Sequence, residues 1–577
     1  MEQAPAAGIY EIASGYFAML DQEGSAHKYL AAQAAGALGC ASRESSSEIP
    51  VKATATVFRE KPAMFKAAPD RWKTPVFFLF VFLGLTCGES AANAASCESL
   101  KNLSLPDAKI TFAANVAAGD FTPPAPNRTS QPDAAPFAHL PAFCRVAASL
   151  TPSSDSDIRI EVWMPASGWN GKLESVGNGG WAGVISYKAL ASALAQGYAT
   201  TSTDTGHTGN TGRFAYGHPE KFIDFAYRSE HAMTVAAKAI IAAFYDHGPE
   251  ISYWNGCSTG GRQGLTEAQR YPHDYDAIIA GDPANNRTHL YVWSMSIAQA
   301  VHKTPGSYIP PEKYAMIHRA VLDRCDALDG LKDGLIGDPT RCHFDPKVLM
   351  CKGADAPNCL TAPQVETARR LYSDVKNPRT GQEIYPGLEP GSEMGWWIHA
   401  GPQPLSYALD GFRYVTFNNP DWDYRTLNLD SDVALADKVD HGATSAMDPH
   451  LQEFFGHGGK LLLYQGWSDP NIPPLNTIHY YQSVLQTVGG AAANSIRLFL
   501  FPGMGHCGGG DGPNTFDAMS ALTQWFEKGQ PPSQIVASLR AHGVVVRTRP
   551  VCPYPQFAAY KGSGSIDDAA NFVCKAH

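Results

Sequence analysis

A serine set between glycines is the first place in this chain where residue types and spacing suggest chemistry. Residues 255–261 read NGCSTGG, and Gly256-Cys257-Ser258-Thr259-Gly260 has the spacing G-x-S-x-G. Small residues at those positions let the backbone fold tightly enough to expose a serine hydroxyl as a nucleophile. Such a hydroxyl needs a base, and the base needs an acid to orient it. His506 lies in the glycine-rich segment GMGHCGGG, and Asp469 follows the apolar run KLLLYQG. The chain order Ser258, Asp469, His506 is the one used when each residue sits on a loop after a strand of a parallel sheet. Two other carboxylates compete for the acid role. Asp282 falls directly after the next strand, AIIAG, and Asp511 is too near His506 in sequence to reach round its ring easily. Asp469 is the preferred acid. The chemistry expected is acyl transfer, with an oxyanion hole built from the Thr259 N–H and from Gly180 in the turn VGNGGWAG.

The cysteines tie the nucleophile to the base. Of the twelve, Cys40 and Cys87 lie in or before an apparent leader, and the even number that remains favours disulfides in an exported protein. Local spacing pairs Cys325 with Cys342, Cys351 with Cys359, Cys552 with Cys574, and Cys97 with Cys144. Cys257 and Cys507 are left for each other. One precedes Ser258 and the other follows His506, so a bridge between them would hold their Cα atoms about 5.5–6 Å apart. That brings the neighbouring serine and histidine within reach of one another.

Strands and helices must position these groups. IRIEVWMP, KLESV, YATTSTDTG, ISYWNG, KLLLYQGWSD and IRLFLFPGMGH read as strands, while YKALASALAQGY and HAMTVAAKAIIAAFY read as helices. Their alternation predicts an α/β fold, an α/β-hydrolase core with a mainly parallel sheet. The rhythm fails over 284–449, which has four cysteines, many Pro and Gly, and aromatics such as Tyr407 and Tyr414. This stretch is expected to be an inserted lid domain, and residues 96–283 and 450–577 the catalytic domain. Upstream, PVFFLFVFLGL at 75–85 follows Lys66, Arg71 and Lys73 and precedes AANAAS. This is the layout of a signal peptide over 64–95, with Met64 as a fitting start and 1–63 as a non-native extension. The run is too short to span a bilayer, which takes roughly 20 residues, so no membrane association is expected after cleavage. A secreted or periplasmic protein follows. The net charge of −10 and the lack of a Lys/Arg block argue against nucleic acid as a partner.

Within the insertion, CDALDGLKDGLIGDPTRC gathers Asp326, Asp329 and Asp333 among glycines, between two cysteines. Hard oxygen donors crowded in this way suit Ca²⁺, although the spacing is not that of an EF-hand.

Taken together, GCSTGGRQG, YQGWSD, PGMGHC, CDALDGLKDG, RPVCPYP and AAYKGSGSIDDAANFVC resemble the tannase and feruloyl esterase family, from about Cys97 to Cys574. The resemblance implies the same triad and the same bridge beside it. It adds the carbonyls of Leu331 and Leu335 to the calcium ligands, with the ion structural, and it implies no organic cofactor. Substrates are expected to be small aromatic esters or phenolic esters on plant polymers, with feruloyl, hydroxycinnamoyl or galloyl acyl groups. Trp396, Trp397, Phe412 and Tyr414 would offer stacking surface, and Arg413 a partner for a substrate carboxylate or phenolate. Three other readings stand beside this one: a terephthalate-monoester hydrolase of the same family, a non-catalytic binder of plant phenolic polymers, and a secreted peptidase.

Overall fold

The computed structural model describes residues 95–124 and 134–576. The expectations for 1–63 and for the signal segment, apart from Ala95, lie outside those residues.

The nine-stranded central sheet comprises β1 (Ala108–Val116), β2 (Phe143–Leu150), β3 (Ile158–Pro165), β4 (Lys172–Val176), β5 (Ala199–Thr203), β6 (Ile251–Cys257), β7 (Ala277–Gly281), β10 (Lys460–Gly466) and β11 (Ile496–Phe501), in the order β1-β2-β3-β5-β4-β6-β7-β10-β11. β8 (Val375–Lys376) and β9 (Glu383–Tyr385) are a separate short pair in the insertion. From β5 to β11 every pairing is parallel, whereas β1, β2 and β3 enter as an antiparallel meander. The sequence reading had the parallel half and β3, but not the first two strands.

The inner strands are apolar on both faces because both faces are covered. Leu461, Leu463, Ile278 and Ala280 join one core, with Met233 and Ile240 of the helix Ser229–Tyr245 and Val484 of the helix Pro474–Val488. Their neighbours Leu462, Tyr464, Ala277 and Ile279 point the other way, onto Leu522 and Trp525 of the helix Ala518–Lys528. A one-residue slip of β10 would exchange the two sets, so burial fixes the register.

Between β7 and β10 the chain builds a second core. Its members run from Ala284 to Ala436 and include Trp293, Tyr314, Trp396 and Phe412, with Ile472 added from the loop after β10. Beyond the sheet, β12 (Ile535–Ala541) pairs with β13 (Val544–Val551), and β14 (Phe557–Tyr560) with β15 (Phe572–Lys575). All five expected disulfides are formed: Cys97–Cys144, Cys257–Cys507, Cys325–Cys342, Cys351–Cys359 and Cys552–Cys574. Among the described residues no helix is long and apolar enough to cross a membrane.

Candidate active site

Ser258 sits between the end of β6 and the helix Thr259–Arg270, at φ +63° and ψ −122°. A side chain rarely adopts this region, and the surroundings must hold it there. The Ser258 N–H donates to the Gly281 carbonyl at 2.9 Å, and its carbonyl accepts from Arg262 and Ala284 N–H at 3.0 and 3.1 Å. The flanking glycines are required by close approach. A Cβ on Gly256 would stand 2.4 Å from the Gly260 oxygen, and one on Gly261 2.4 Å from the Gly281 oxygen. The serine therefore caps the positive end of a helix dipole.

The Cys257–Cys507 bridge joins the residues beside the serine and the histidine, with a Cα separation of 6.0 Å. His506 Nδ1 lies 2.8 Å from Asp469 Oδ2. Asp469 is fully buried, accepts from the Asn471 and Ile472 N–H groups at 2.7 and 3.1 Å, and from Gln465 Nε2 at 2.8 Å. Burial disfavours an imidazolium at 506. The Asp469 carboxylate and its hydrogen bond, with Asp282 nearby, outweigh this and raise the His506 pKa above its ordinary value. Among the described residues neither His506 Nε2 nor Ser258 Oγ makes a hydrogen bond, so the bond expected between the two is not formed here.

Asp282 and Asp511, the competing acids, do other things. Asp282 is buried behind the triad and accepts from Gly466 N–H at 2.8 Å and from Cys507 N–H at 3.1 Å. It thereby ties the end of β10 to the bridged cysteine. Burial, reinforced by the Asp469 charge, pushes its carboxyl well above the usual carboxylate range. Asp511 turns away and pairs with His318 of the insertion at 3.2 Å.

The turn holding Gly180 packs on the start of the elbow helix. Gly260 N–H donates to the Asn178 carbonyl at 2.8 Å, and Thr259 Oγ1 to the Gly180 carbonyl at 2.9 Å. Gly180 has φ +56°, and a Cβ there would meet the Tyr407 ring at 2.9 Å. Among the described residues, the Thr259 and Gly180 N–H groups donate no hydrogen bond. Two orphan donors beside a nucleophile are what an oxyanion hole requires.

The insertion reaches the site through Tyr407 and His399, among other residues. Tyr407 covers Gly180 and accepts the Trp181 indole N–H through its carbonyl at 2.9 Å. Buried His399 lies 2.9 Å from Ser294 Oγ and 3.1 Å from the Asn471 carbonyl, two residues past Asp469. Burial holds its pKa down to about 4, so the ring is neutral, and Nε2 must carry the proton because a carbonyl only accepts.

The expected substrate contacts separate. Trp396 is wholly buried in the insertion's core, edge-on to Tyr372 at 5.1 Å, and offers no face to a substrate. Phe412 is also buried, stacked on Trp422 at 4.8 Å, though it lines a cavity with Trp181, Arg287 and Tyr291. Trp397 is exposed. Arg413 is half-buried and donates to the Trp422 carbonyl at 3.0 Å. The sequence reading passed over His399, Arg287 and the packing of Tyr407 on Gly180. A charged residue opening the apolar helix RTHLYVWSMSIAQAV was the one local sign of Arg287.

In the acidic loop, Asp326 accepts from the Asp333 and Gly334 N–H groups at 3.0 Å each, and Asp329 and Asp333 accept from Leu331 and Leu335 at 3.0 and 3.2 Å. Asp333 also meets Arg549 at 2.5 Å. Arg547 donates to the Asp333 carbonyl at 3.0 Å. The Leu331 and Leu335 carbonyls accept nothing from the described residues. Burial and the neighbouring Asp333 and Asp326 push Asp329 up to about 6. Oxygen donors of this kind suit a hard divalent cation, but among the described residues the three carboxylates do not form a group close enough to share one ion.

The family model described as tannase and feruloyl esterase matches residues 144–575. An uncharacterized esterase of Xanthomonas campestris pv. campestris is 38% identical over 540 residues, covering 84% of this chain and 92% of that protein. The crystal structure of feruloyl esterase B from Aspergillus oryzae superposes with a TM-score of 0.78 at 33% identity, covering 83% of this chain and 99% of the other. A tannin acyl hydrolase from Aspergillus niger shares the fold, with a TM-score of 0.63 at 21% identity and coverage of 82% and 92%. The chain belongs to the tannase and feruloyl esterase family of carboxylic ester hydrolases.

Proposed function

We propose that the protein is a secreted serine esterase that cleaves esters of aromatic carboxylic acids, of the feruloyl, hydroxycinnamoyl or galloyl kind. The observation that carries this is the Cys257–Cys507 bridge, which joins the neighbour of a strained serine to the neighbour of a histidine held by Asp469. His506 Nε2 takes the Ser258 proton as Oγ attacks the ester carbonyl. The negative oxygen is received by the Thr259 and Gly180 N–H groups, and the imidazolium returns its proton to the departing alcohol. Water, deprotonated by the same imidazole, then releases the acid from the serine. The insertion, read as a lid over 284–449, would hold the aromatic acid, with Tyr407 over Gly180 and with Trp397 and Arg413 as outer contacts.

Asp326, Asp329 and Asp333, with the Leu331 and Leu335 carbonyls, would hold a structural Ca²⁺. Five disulfides support export to an oxidising compartment. N-terminal sequencing of secreted protein tests the leader reading: a mature start near residue 96 is expected, and one near Met1 would refute it.

The activity is tested with methyl ferulate, methyl gallate and a terephthalate monoester, on wild type and Ser258→Ala. Hydrolysis of the first or second is expected, with a loss of about 10⁴-fold or more in kcat for the variant. Preference for the third would move the protein to the terephthalate reading. No hydrolysis, and no labelling of Ser258 by a phosphonate, would leave a binding protein.

A further inference from the structure

Arg287 opens the helix Arg287–Val301 and is only 2% exposed. Among the described residues it forms no ion pair with a carboxylate. Its guanidinium lies on the Trp181 ring at 4.0 Å, with Phe225 at 4.8 Å and Tyr291 at 5.1 Å. Two of its nitrogens leave this aromatic box. Nη1 is 3.3 Å from Thr259 Oγ1, and Nη2 is 3.3 Å from the Gly180 carbonyl. Those two acceptors are themselves joined, Thr259 Oγ1 to the Gly180 carbonyl, at 2.9 Å.

Asp440 lines the same cavity and its charge acts on Arg287, but a buried cation without a direct anionic partner is still costly, because water is removed and little replaces it. Cation–π contacts recover part of that cost. The rest has a use if negative charge appears nearby, and the residues Arg287 grips are the two whose N–H groups donate no hydrogen bond among the described residues.

We propose that Arg287 is the positioning residue of the oxyanion hole, its fork fixing the Gly180 carbonyl and the Thr259 hydroxyl while its unpaired charge favours the negative oxygen formed between their N–H groups. The proposal rests on the esterase reading of Ser258. Gly180 is at positive φ and has no Cβ, so its own backbone does not restrict it to one conformation. The fork and Thr259 do so from outside. Arg287 acts through the donors and through the local field, which a water-poor site screens weakly.

Arg287→Met removes fork and charge, and Arg287→Lys keeps the charge without the fork. Each is compared with wild type and Ser258→Ala for kcat and KM on a methyl ester of an aromatic acid. The rate at which an aryl phosphonate labels Ser258 is measured as well, since that step develops the same oxyanion. The expected result for Arg287→Met is a fall of about 10- to 100-fold in kcat and a parallel fall in labelling, with KM changed less than about threefold. Arg287→Lys should lie between it and wild type.

A folded Arg287→Met with wild-type kcat, or a variant whose loss is all in KM, overturns the proposal. If the methionine variant does not fold, Arg287→Lys decides. A reduced kcat at constant KM sustains the proposal, and a wild-type kcat overturns it. An inactive wild type, or an active Ser258→Ala, instead refutes the esterase reading beneath it.

Discussion

Ser258 holds a backbone conformation that costs on the order of 1–3 kcal/mol, and its neighbours must supply the restraint. The Ser258 N–H bond to the Gly281 carbonyl and the Arg262 and Ala284 N–H bonds to the Ser258 carbonyl supply part of it, and the bond from Cys257 to Cys507 adds restraint on the other side. Cys507 is itself at φ +60°, so one end of the bridge is strained, and at the other end the strain falls on the neighbouring Ser258. Replacing both cysteines by alanine should let the histidine loop drift by an ångström or so, which costs about 100-fold in turnover. The check is kcat for variant protein shown to be folded by circular dichroism, and full activity there would remove the bridge from the mechanism. Asp282 adds a second restraint on the same loop through the Cys507 N–H.

At the scale of elements, the insertion is latched to the histidine loop. His318 lies on the helix Tyr314–Cys325, with Nδ1 2.6 Å from Glu393 and Nε2 3.2 Å from Asp511, while Tyr372 donates to Glu393 at 2.6 Å. Burial works against charge on His318, but hydrogen bonds and charges from Asp511 and Glu393 outweigh it and raise the pKa from 6.5 to about 9. A raised histidine pKa stabilises the folded state fully below the unfolded value and ceases to do so as pH climbs through the folded one. Thermal unfolding from pH 6 to 10 should therefore show wild type losing stability between about 6.5 and 9. His318→Gln should show a shallower slope, the remainder coming from other raised groups such as Glu174, Asp204 and Glu389, and identical slopes would dismiss the latch.

The elements themselves were largely legible. Strands such as AIIAG and KLLLYQG are continuous apolar runs because both sheet faces are covered, and GCSTGG carries its own turn chemistry. What escaped were relations between distant residues. His318 with Asp511 and His399 with Asn471 have no spacing signal, since each pair meets only after the insertion folds back. Trp396 was misjudged for a similar reason: an aromatic in an irregular segment does not announce which side it faces.

For the molecule as a whole, the acidic loop is where metal removal should be felt. Asp326, Asp329 and Asp333 share one short turn, in which Asp333 is paired with Arg549. Calcium held about a hundredfold above its Kd would add roughly 2.7 kcal/mol of apparent stability. Chelation should therefore lower the melting temperature, and Asp329→Asn should abolish that response. Activity of the still-folded chelated protein should fall less than its stability, because none of the three carboxylates hydrogen-bonds to Ser258, Asp469 or His506, although Leu335 packs near Gly503 of the histidine loop. An unchanged melting temperature would count against a calcium role.

The bridge beside the triad closes a loop of 250 residues, and the entire insertion lies inside it. Nascent polypeptide therefore carries Ser258 long before His506 has been synthesised. While thiols stay reduced, no cross-link joins those two segments. On the esterase reading proposed above, full turnover would come only once oxidation has closed that loop.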